Sequence, residues 1–182
     1  MPDLEVLENP KTNLASEVIS SDGKTLGKYY FNDNRTPVTF EELPSHLVDA
    51  LIATEDIRFY SHSGIDFKRT VSAAIKLGKD GGGSTITQQL AKLLFTGEGS
   101  RDIIERLTQK FKEYIIAVRL ERHYTKNEII TQYLNLYDFG NNGDGIRSAA
   151  RIYFGKEPID LDINESAILV GMLKNSSLYN QR

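Results

Sequence analysis

The first residues with a chemical signature are two adjacent acidic side chains, Glu55 and Asp56. Apolar residues between positions 47 and 52 recur at i, i+1, i+4 and i+5, which predicts a one-sided helix ending near Thr54. Glu55 would then stand at the helix C-terminus. There the negative end of the helix dipole disfavours an anion, a setting that suits a general base or acid. The alternative is a capped helix end in which Arg58 pairs with Glu55 or Asp56.

A second group follows the glycine break at positions 81–83. Glycines ahead of a helix leave backbone N–H groups free, and such a helix N-terminus suits phosphate or another anion. The spacing is not that of a P-loop. The alternative is a flexible loop closed by a Ser or Thr cap. The polar residues of this group are Ser84, Thr85, Gln88, Gln89 and Lys92, and its adjacent amides suit sugar hydroxyls.

A long helix is predicted from about Arg101 to Glu121. Its apolar stripe, which we expect to be buried, comprises Ile104, Leu107, Phe111, Ile115 and Val118. A second face carries Arg106, Lys110 and Glu113, so that a carboxylate stands among cations that could hold pyrophosphate. The alternative is an ordinary i,i+3 ion pair on a solvated surface. Glu55 and Glu113 are the best candidate pair, because paired carboxylates around a sugar bond carry out glycosyl chemistry.

The remaining pattern predicts a mainly α fold with a small N-terminal β-hairpin. An Asp-Gly turn at 22–23 lies between two short apolar stretches within 17–31. Capping-box patterns open helices at Thr125 and Asp162. Asn135 is expected to hold the glycine- and asparagine-rich loop that follows it. We divide the chain into a lead-in with the hairpin, 1–44, and a helical core, 45–182.

Composition narrows the function classes. Of 182 residues, 40% are hydrophobic and 26% charged, which indicates a globular chain. The net charge of −3 does not support a nucleic-acid-binding surface. With no cysteine, disulfides, thiolate metal sites and cysteine nucleophiles are excluded. No apolar run approaches 18 residues, and the His-Glu-x-x-His metal pattern does not occur.

Four ordered motifs resemble the glycosyltransferase module of class A penicillin-binding proteins and monofunctional peptidoglycan transglycosylases. They are Glu-Asp-x-x-Phe-Tyr-x-His-x-Gly-x-Asp at 55–66, Gly-Ser-Thr-Ile-Thr-Gln-Gln-x-x-Lys at 83–92, Lys-x-Lys-Glu at 110–113, and Lys-x-x-Ile-Ile-x-x-Tyr-Leu-Asn at 126–135. Tyr-Phe-Gly-Lys at 153–156 also fits.

The resemblance implies a lysozyme-like helical fold and an inverting polymerisation of lipid II, with the growing glycan strand as donor and undecaprenyl pyrophosphate as leaving group. Glu55 would be the base, and Glu113 would assist the donor, alone or through Mg²⁺ or Mn²⁺. Further substrate-binding residues would be Asp56, Phe59, His62, Gly83, Ser84, Thr85, Gln88, Gln89, Lys92, Arg106, Lys110, Lys112 and Asn135.

The resemblance also implies a place and partners: the outer face of the bacterial inner membrane, sensitivity to moenomycin, and a C-terminal penicillin-binding transpeptidase domain. Three consecutive apolar residues, 93–95, precede a predicted link at 96–100, and they could either reach the lipid surface or close the core.

This chain departs from the family pattern in three respects: Gln109 replaces an arginine, Leu93 replaces an asparagine, and the fifth motif is missing before Arg182. We therefore expect a truncated piece of a larger protein. Two alternatives are a lytic, lysozyme-like hydrolase, and a non-catalytic module that binds glycan or lipid.

Overall fold

The protein is described from a computed structural model that covers residues 16–29, 35–75, 83–96 and 102–174. The strands are β1 (Ser16–Ile19) and β2 (Thr25–Tyr29). The helices are α1 (Ser45–Glu55), α2 (Phe67–Ile75), α3 (Ile86–Ala91), α4 (Ile103–His123), α5 (Lys126–Leu136), α6 (Ile146–Phe154) and α7 (Ile163–Lys174). Short 3₁₀ turns lie at Phe40–Glu42, Phe59–Ser61 and Pro158–Asp160, and a π-helical turn, Lys92–Thr96, continues α3.

The predicted fold class, mainly α with a small hairpin near the N-terminus, is confirmed. The hairpin turn forms because Gly23 adopts a φ of +81°, which an L side chain rarely takes. The Ser20 carbonyl accepts from the Gly23 N–H at 2.9 Å, and Ser20 donates to the Lys24 carbonyl at 2.8 Å. β1 and β2 are antiparallel, with Val18 opposite Gly27 and a bulge after Val18.

The chain divides into two compact units, and the boundaries fall inside α1 and α5. The first unit contains Ile52–Tyr133, and the second contains Lys11–Leu51 together with Leu134–Arg182. These two units do not test the predicted division into a lead-in, 1–44, and a helical core, 45–182, which stays a prediction. All the described residues of the first three sequence motifs lie in the first unit.

In the first unit, α4 packs against α3 and passes close to the loop before α2. Gly64 in that loop has a φ of +91°, and a Cβ there would stand 2.8 Å from the backbone carbonyl of Ala117. Only glycine permits this approach without displacement of α4. Leu90, Ile116 and Leu120 are fully buried at the same level, so the loop, α3 and α4 form one packed layer.

The second unit is held by side-chain bonds to backbone groups and by ion pairs. The Tyr137 hydroxyl donates to the Leu173 carbonyl at 3.1 Å. Arg147 pairs with Glu42 and, at 3.2 Å, with Glu157. The predicted cap at Asp162 forms, since its carboxylate accepts from the Glu165 N–H at 2.9 Å and the Glu165 carboxylate accepts from the Asp162 N–H at 2.8 Å.

One prediction about α4 is wrong: its apolar stripe is not buried. Ile104, Leu107, Phe111 and Ile115, which we call the apolar face of α4, are between 48% and 74% exposed. The buried face is the opposite one, about 160° away around the helix, and holds Glu113, Ile116, Ala117 and Leu120. Glu113 can lie on the buried face because Lys110 pairs with its carboxylate. Ile116, Ala117 and Leu120 are buried on the same face.

Within the described ranges, no helix combines the length and apolar character that a membrane crossing requires. The predicted link at 96–100 and the glycines at 81 and 82 fall largely or wholly outside those ranges.

Candidate active site

Glu55 is the last residue of α1, as the sequence predicts. Its carboxylate accepts a hydrogen bond from the Gln89 side-chain amide at 2.9 Å. Its backbone carbonyl, one of the acceptors that a helix end leaves without an intrahelical partner, accepts from the Arg69 guanidinium. Nothing in the sequence pattern pointed to Arg69, because it acts from α2 on the backbone.

The alternative in which Arg58 neutralises Glu55 or Asp56 is not what the structure shows. Arg58 pairs with Asp66, at 2.7 and 2.8 Å. Across the described residues, no Lys, Arg or His forms an ion pair with the Glu55 carboxylate. Glu55 therefore has one amide partner and no cation, so it is available to accept a proton.

Asp56 and His62 form a buried pair beside Glu55. The His62 Nε2 atom lies 3.0 Å from the Asp56 carboxylate, which also accepts from the Ile86 N–H, at the start of α3, at 3.1 Å. The Asp56 residue is 1% exposed and Phe59 is fully buried. Asp56 therefore anchors the start of α3. The substrate contact predicted for Asp56, Phe59 and His62 stays a prediction.

The start of α3 is capped from within. Thr85 accepts from the Gln88 N–H at 3.1 Å, and the Gln88 side chain accepts from the Thr85 N–H at 3.2 Å. The Thr85 hydroxyl donates to the Gly64 carbonyl at 2.7 Å. Both residues are fully buried and hold the start of α3, and their predicted place in the cleft lining stays a prediction. Gly83 and Ser84, just before them, are partly exposed.

Lys110 links the loop before α3 to α4. Its ammonium donates to the Ser84 hydroxyl at 2.6 Å and to the Glu113 carboxylate at 2.6 Å. The Lys110 side chain is 36% exposed and the Glu113 side chain only 9%. The prediction of an i,i+3 ion pair is thus confirmed, but Glu113 is buried rather than solvated. The Lys110 side chain is therefore partly exposed and lies next to the partly exposed Ser84.

The two carboxylates are joined through α3. Gln89 on α3 reaches Glu55, and Ser84 just before α3 reaches the Lys110–Glu113 pair. The contacts therefore connect both carboxylates to the stretch from Ser84 to Gln89, with Glu55 at one end and the Lys110–Glu113 pair at the other.

The other predicted cations, Lys92, Arg106 and Lys112, are exposed. In the described part of the chain, Arg106 and Lys112 make no side-chain hydrogen bond or ion pair. The structure therefore brings none of the three into the Lys110–Glu113 pair, and it leaves Arg106 and Lys112 open to an external anion. Whether they meet substrate stays a prediction.

Asn135 belongs to the second unit and bonds backward along the chain. Its side chain accepts from the Val38 N–H and donates to the Val38 carbonyl, both at 2.9 Å. The expectation that it holds the loop after α5 by its side chain is wrong. That loop instead turns through positive φ angles at Asn141 and Asn142. Both ends of its amide bond to Val38, so Asn135 has a structural role, and its predicted substrate contact stays a prediction.

The Arg58–Asp66 pair is expected to make the free energy of unfolding depend on pH. Burial raises the pKa of Asp66, but hydrogen bonds from the Arg69 N–H and from Arg58 outweigh it, so the pKa lies below the ordinary 3.8. A depressed folded-state pKa contributes stability above the unfolded pKa, and this is lost as pH falls through the folded value. We expect Asp66→Asn to lower the free energy of unfolding by about 1–3 kcal/mol at pH 7.

The measurement is urea denaturation at pH 7 and at an acid pH below the pKa of Asp66 in the unfolded chain. The difference between wild type and Asp66→Asn should shrink at the acid end, because the ionised carboxylate that Arg58 and the Arg69 N–H stabilise is less populated there. Asp49→Asn, an exposed carboxylate on α1, should be neutral at both pH values. An Asp66→Asn deficit that is equal at both would rule out this electrostatic account.

The fold and these contacts define a mainly helical protein in which, among the described residues, Glu55 bonds to the Gln89 amide and to no cation, and Glu113 pairs with a lysine that bonds to Ser84. The transglycosylase family model matches residues 22–182, and the chain belongs to this family. The chain is 38% identical to penicillin-binding protein 1A of Pseudomonas aeruginosa and to that of Escherichia coli, over 99% of its own length. It is 40% identical to penicillin-binding protein 1F of Bacillus subtilis, over 91% of its length.

These matches confirm the resemblance to the transglycosylase module of class A penicillin-binding proteins. The chain spans 22% of the Pseudomonas protein, 21% of the Escherichia protein and 23% of the Bacillus protein.

Proposed function

We propose that this chain is a peptidoglycan glycosyltransferase that polymerises lipid II into glycan strands and releases undecaprenyl pyrophosphate. The observation that carries the proposal is Glu55, a partly exposed carboxylate with a single amide donor and no cation. Membership of the transglycosylase family supports a glycosyltransferase. The site of action would be the outer face of the inner membrane, with a C-terminal transpeptidase domain in the whole protein.

Glu55 is the base of the proposed reaction. It accepts the proton of the acceptor's 4-hydroxyl as that oxygen attacks the anomeric carbon of the donor strand. The new bond forms on the face opposite the leaving pyrophosphate, so the configuration inverts. A positioned general base contributes roughly 10²–10⁴-fold in rate. The hydrogen bond from Gln89 holds the Glu55 carboxylate in place for this transfer.

The leaving group decides what the other end of the site must supply. Pyrophosphate departs as an anion, so it needs cations rather than the protonated acid of a glycosidase. Lys110 meets this need, held by Ser84 and Glu113. The exposed Lys92, Arg106 and Lys112 would add charge. A lytic hydrolase has no such leaving group, so a lysine built into the site favours the transferase.

A divalent cation fits this site only together with substrate. In the described ranges, no three His, Cys, Asp or Glu side chains converge as metal ligands. Mg²⁺ is commonly held by one or two carboxylates plus substrate phosphates. Glu113 is the carboxylate that would hold it here, and the ion would neutralise pyrophosphate charge. Proton transfer is assigned to Glu55, and Lys110 neutralises the leaving group.

The apolar face of α4 supports a lipid surface as partner. Its four large side chains are exposed on one side of a helix whose other side carries the Lys110–Glu113 pair. Leu93, in the π-helical turn, is 40% exposed as well. A substrate with a lipid tail must be taken from a membrane, and a helix with one apolar exposed face is suited to lie in its interface.

We therefore expect Phe111→Ser to lower the partition of the protein onto anionic liposomes roughly tenfold, since burial of an exposed aromatic side chain stabilises by about 1.5–3 kcal/mol. Co-sedimentation measures the bound fraction. Ile159→Ser provides the matched control, because Ile159 is 52% exposed but lies in a 3₁₀ turn of the second unit. Equal partition of all three proteins would exclude α4 from the membrane contact.

The proposed function is tested with labelled lipid II in detergent and a divalent cation, and the products are resolved on a gel. A ladder of glycan strands is expected. Cleavage of preformed glycan without any ladder would identify the hydrolase instead. A protein that binds lipid II or moenomycin without turnover would be the non-catalytic module.

A further inference from the structure

Tyr133 is a buried tyrosine whose hydroxyl points into the site just described. It lies on α5 and is fully buried. Its hydroxyl donates to the Gln89 side-chain carbonyl at 2.9 Å. The amide nitrogen of Gln89 in turn donates to the Glu55 carboxylate at 2.9 Å. Three side chains from three helices thus form one chain of hydrogen bonds that ends at Glu55.

This arrangement leaves Gln89 a single useful orientation. A glutamine amide has two ends, an acceptor and a donor, and an ionised carboxylate can only accept. Rotation of the amide by 180° would place its carbonyl against the Glu55 carboxylate, with two acceptors facing each other. The tyrosine hydroxyl, as a donor, stabilises the orientation in which the NH₂ group faces Glu55. Networks of this kind are worth more than isolated pairs, because each bond polarises the next.

We propose that Tyr133 is a positioning residue for the base. Through Gln89, it fixes the orientation of the Glu55 carboxylate before the acceptor hydroxyl arrives. Tyr133 itself is buried and touches no substrate. The inference rests on the proposed function, in which Glu55 takes the acceptor's proton. It also revises the role of Gln89, which was predicted from sequence to meet sugar hydroxyls.

Kinetics separate positioning from simple support of the fold. Tyr133→Phe keeps the ring and removes only the donor, so lipid II polymerisation should lose about tenfold in kcat with KM unchanged, since the interaction acts on the base rather than on substrate binding. Gln89→Ala should lose at least as much. The double variant should be no slower than Gln89→Ala alone, because the tyrosine acts only through the amide.

The matched control is Tyr137→Phe, which removes a hydroxyl that donates to the Leu173 carbonyl. It should lose a similar stability, about 1 kcal/mol, and keep its kcat. If Tyr133→Phe melts below the assay temperature, Gln89→Leu at a partly exposed position carries the same expected loss in kcat. A Tyr133→Phe enzyme within twofold of wild type, or losses that multiply in the double variant, would overturn the proposal.

A second readout does not depend on turnover. The side-chain amide signals of Gln89 in a ¹⁵N-resolved NMR spectrum are assigned by their loss in Gln89→Ala. They should move both in Tyr133→Phe and in Glu55→Gln, whereas Tyr137→Phe should leave them in place. If wild type makes no polymer but these shifts occur, the proposed function fails and the hydrogen-bond chain stands. Signals that stay in place in Tyr133→Phe would overturn the positioning role itself.

Discussion

Replacement of Glu55 by glutamine is expected to reduce the kcat of lipid II polymerisation by about 10³-fold, within the range a general base contributes. The amide keeps the shape of the side chain but cannot accept the proton of the acceptor hydroxyl. KM should change little, because the amide fills the same space. The fold should persist, since Glu55 makes no ion pair among the described residues and its side chain bonds to Gln89 alone.

The control for this variant is Asp49→Asn, which neutralises an exposed carboxylate on the same helix. It should keep the wild-type rate and melting temperature. A Glu55→Gln protein that polymerises at the wild-type rate would remove Glu55 from the role of base. A protein that loses its helical circular dichroism would show instead that Glu55 is needed for folding.

The second large effect is expected at Lys110, which is held between Ser84 and Glu113. Lys110→Ala leaves the mostly buried Glu113 carboxylate without its cation. Loss of a hydrogen bond to a charged group costs about 1.5–3 kcal/mol of unfolding free energy. Activity should also fall, by roughly 10²-fold, because the departing pyrophosphate loses a cation that the folded site holds in place.

A double variant separates the two effects. In Lys110→Ala/Glu113→Ala the unpaired carboxylate is gone, so stability should recover part of the loss even though polymerisation remains low. Lys68→Ala, an exposed lysine on α2, should match wild type in both measurements. If the double variant is less stable than Lys110→Ala alone, the pair does not act as the structure indicates. If Lys110→Ala polymerises normally, the lysine plays no part at the leaving group.

The features that were predictable from sequence are those set by local hydrogen bonds. The Asp-Gly turn at Gly23 and the caps at Thr85, Thr125 and Asp162 each involve residues within four positions of one another. Their geometry follows from turn and capping rules that hold in any fold. The placement of Glu55 at the end of α1 follows similarly from apolar periodicity.

The features that could not be predicted from the sequence depend on contacts that form only in the folded protein. The inward face of α4 is set by the close approach of Gly64 to Ala117 and by the Lys110–Glu113 pair, neither of which periodicity can reveal. An apolar stripe usually predicts a buried helix face. A large apolar face can instead stay exposed where it binds another protein or a membrane. Several carboxylates lie close to Arg58 in the sequence, so the sequence does not show which of them is its partner. In the folded loop, Arg58 pairs with Asp66.

The assignment of site roles also required the folded contacts. Asp56, Thr85 and Gln88 carry residue types that suit substrate binding, and the structure adds that all three are buried and bonded at the start of α3. Gln89 and Tyr133 lie 44 positions apart and meet at one hydroxyl. The motifs therefore mark the region of the candidate site, and the hydrogen bonds among their residues become visible only in the fold.

The most direct test of the central claim is the stoichiometry of undecaprenyl pyrophosphate release from lipid II, measured beside the gel ladder for wild type and Glu55→Gln. The account predicts one lipid pyrophosphate released for each disaccharide added by wild type, and almost none from Glu55→Gln. Glycan products without lipid pyrophosphate, or equal release by both proteins, would contradict it.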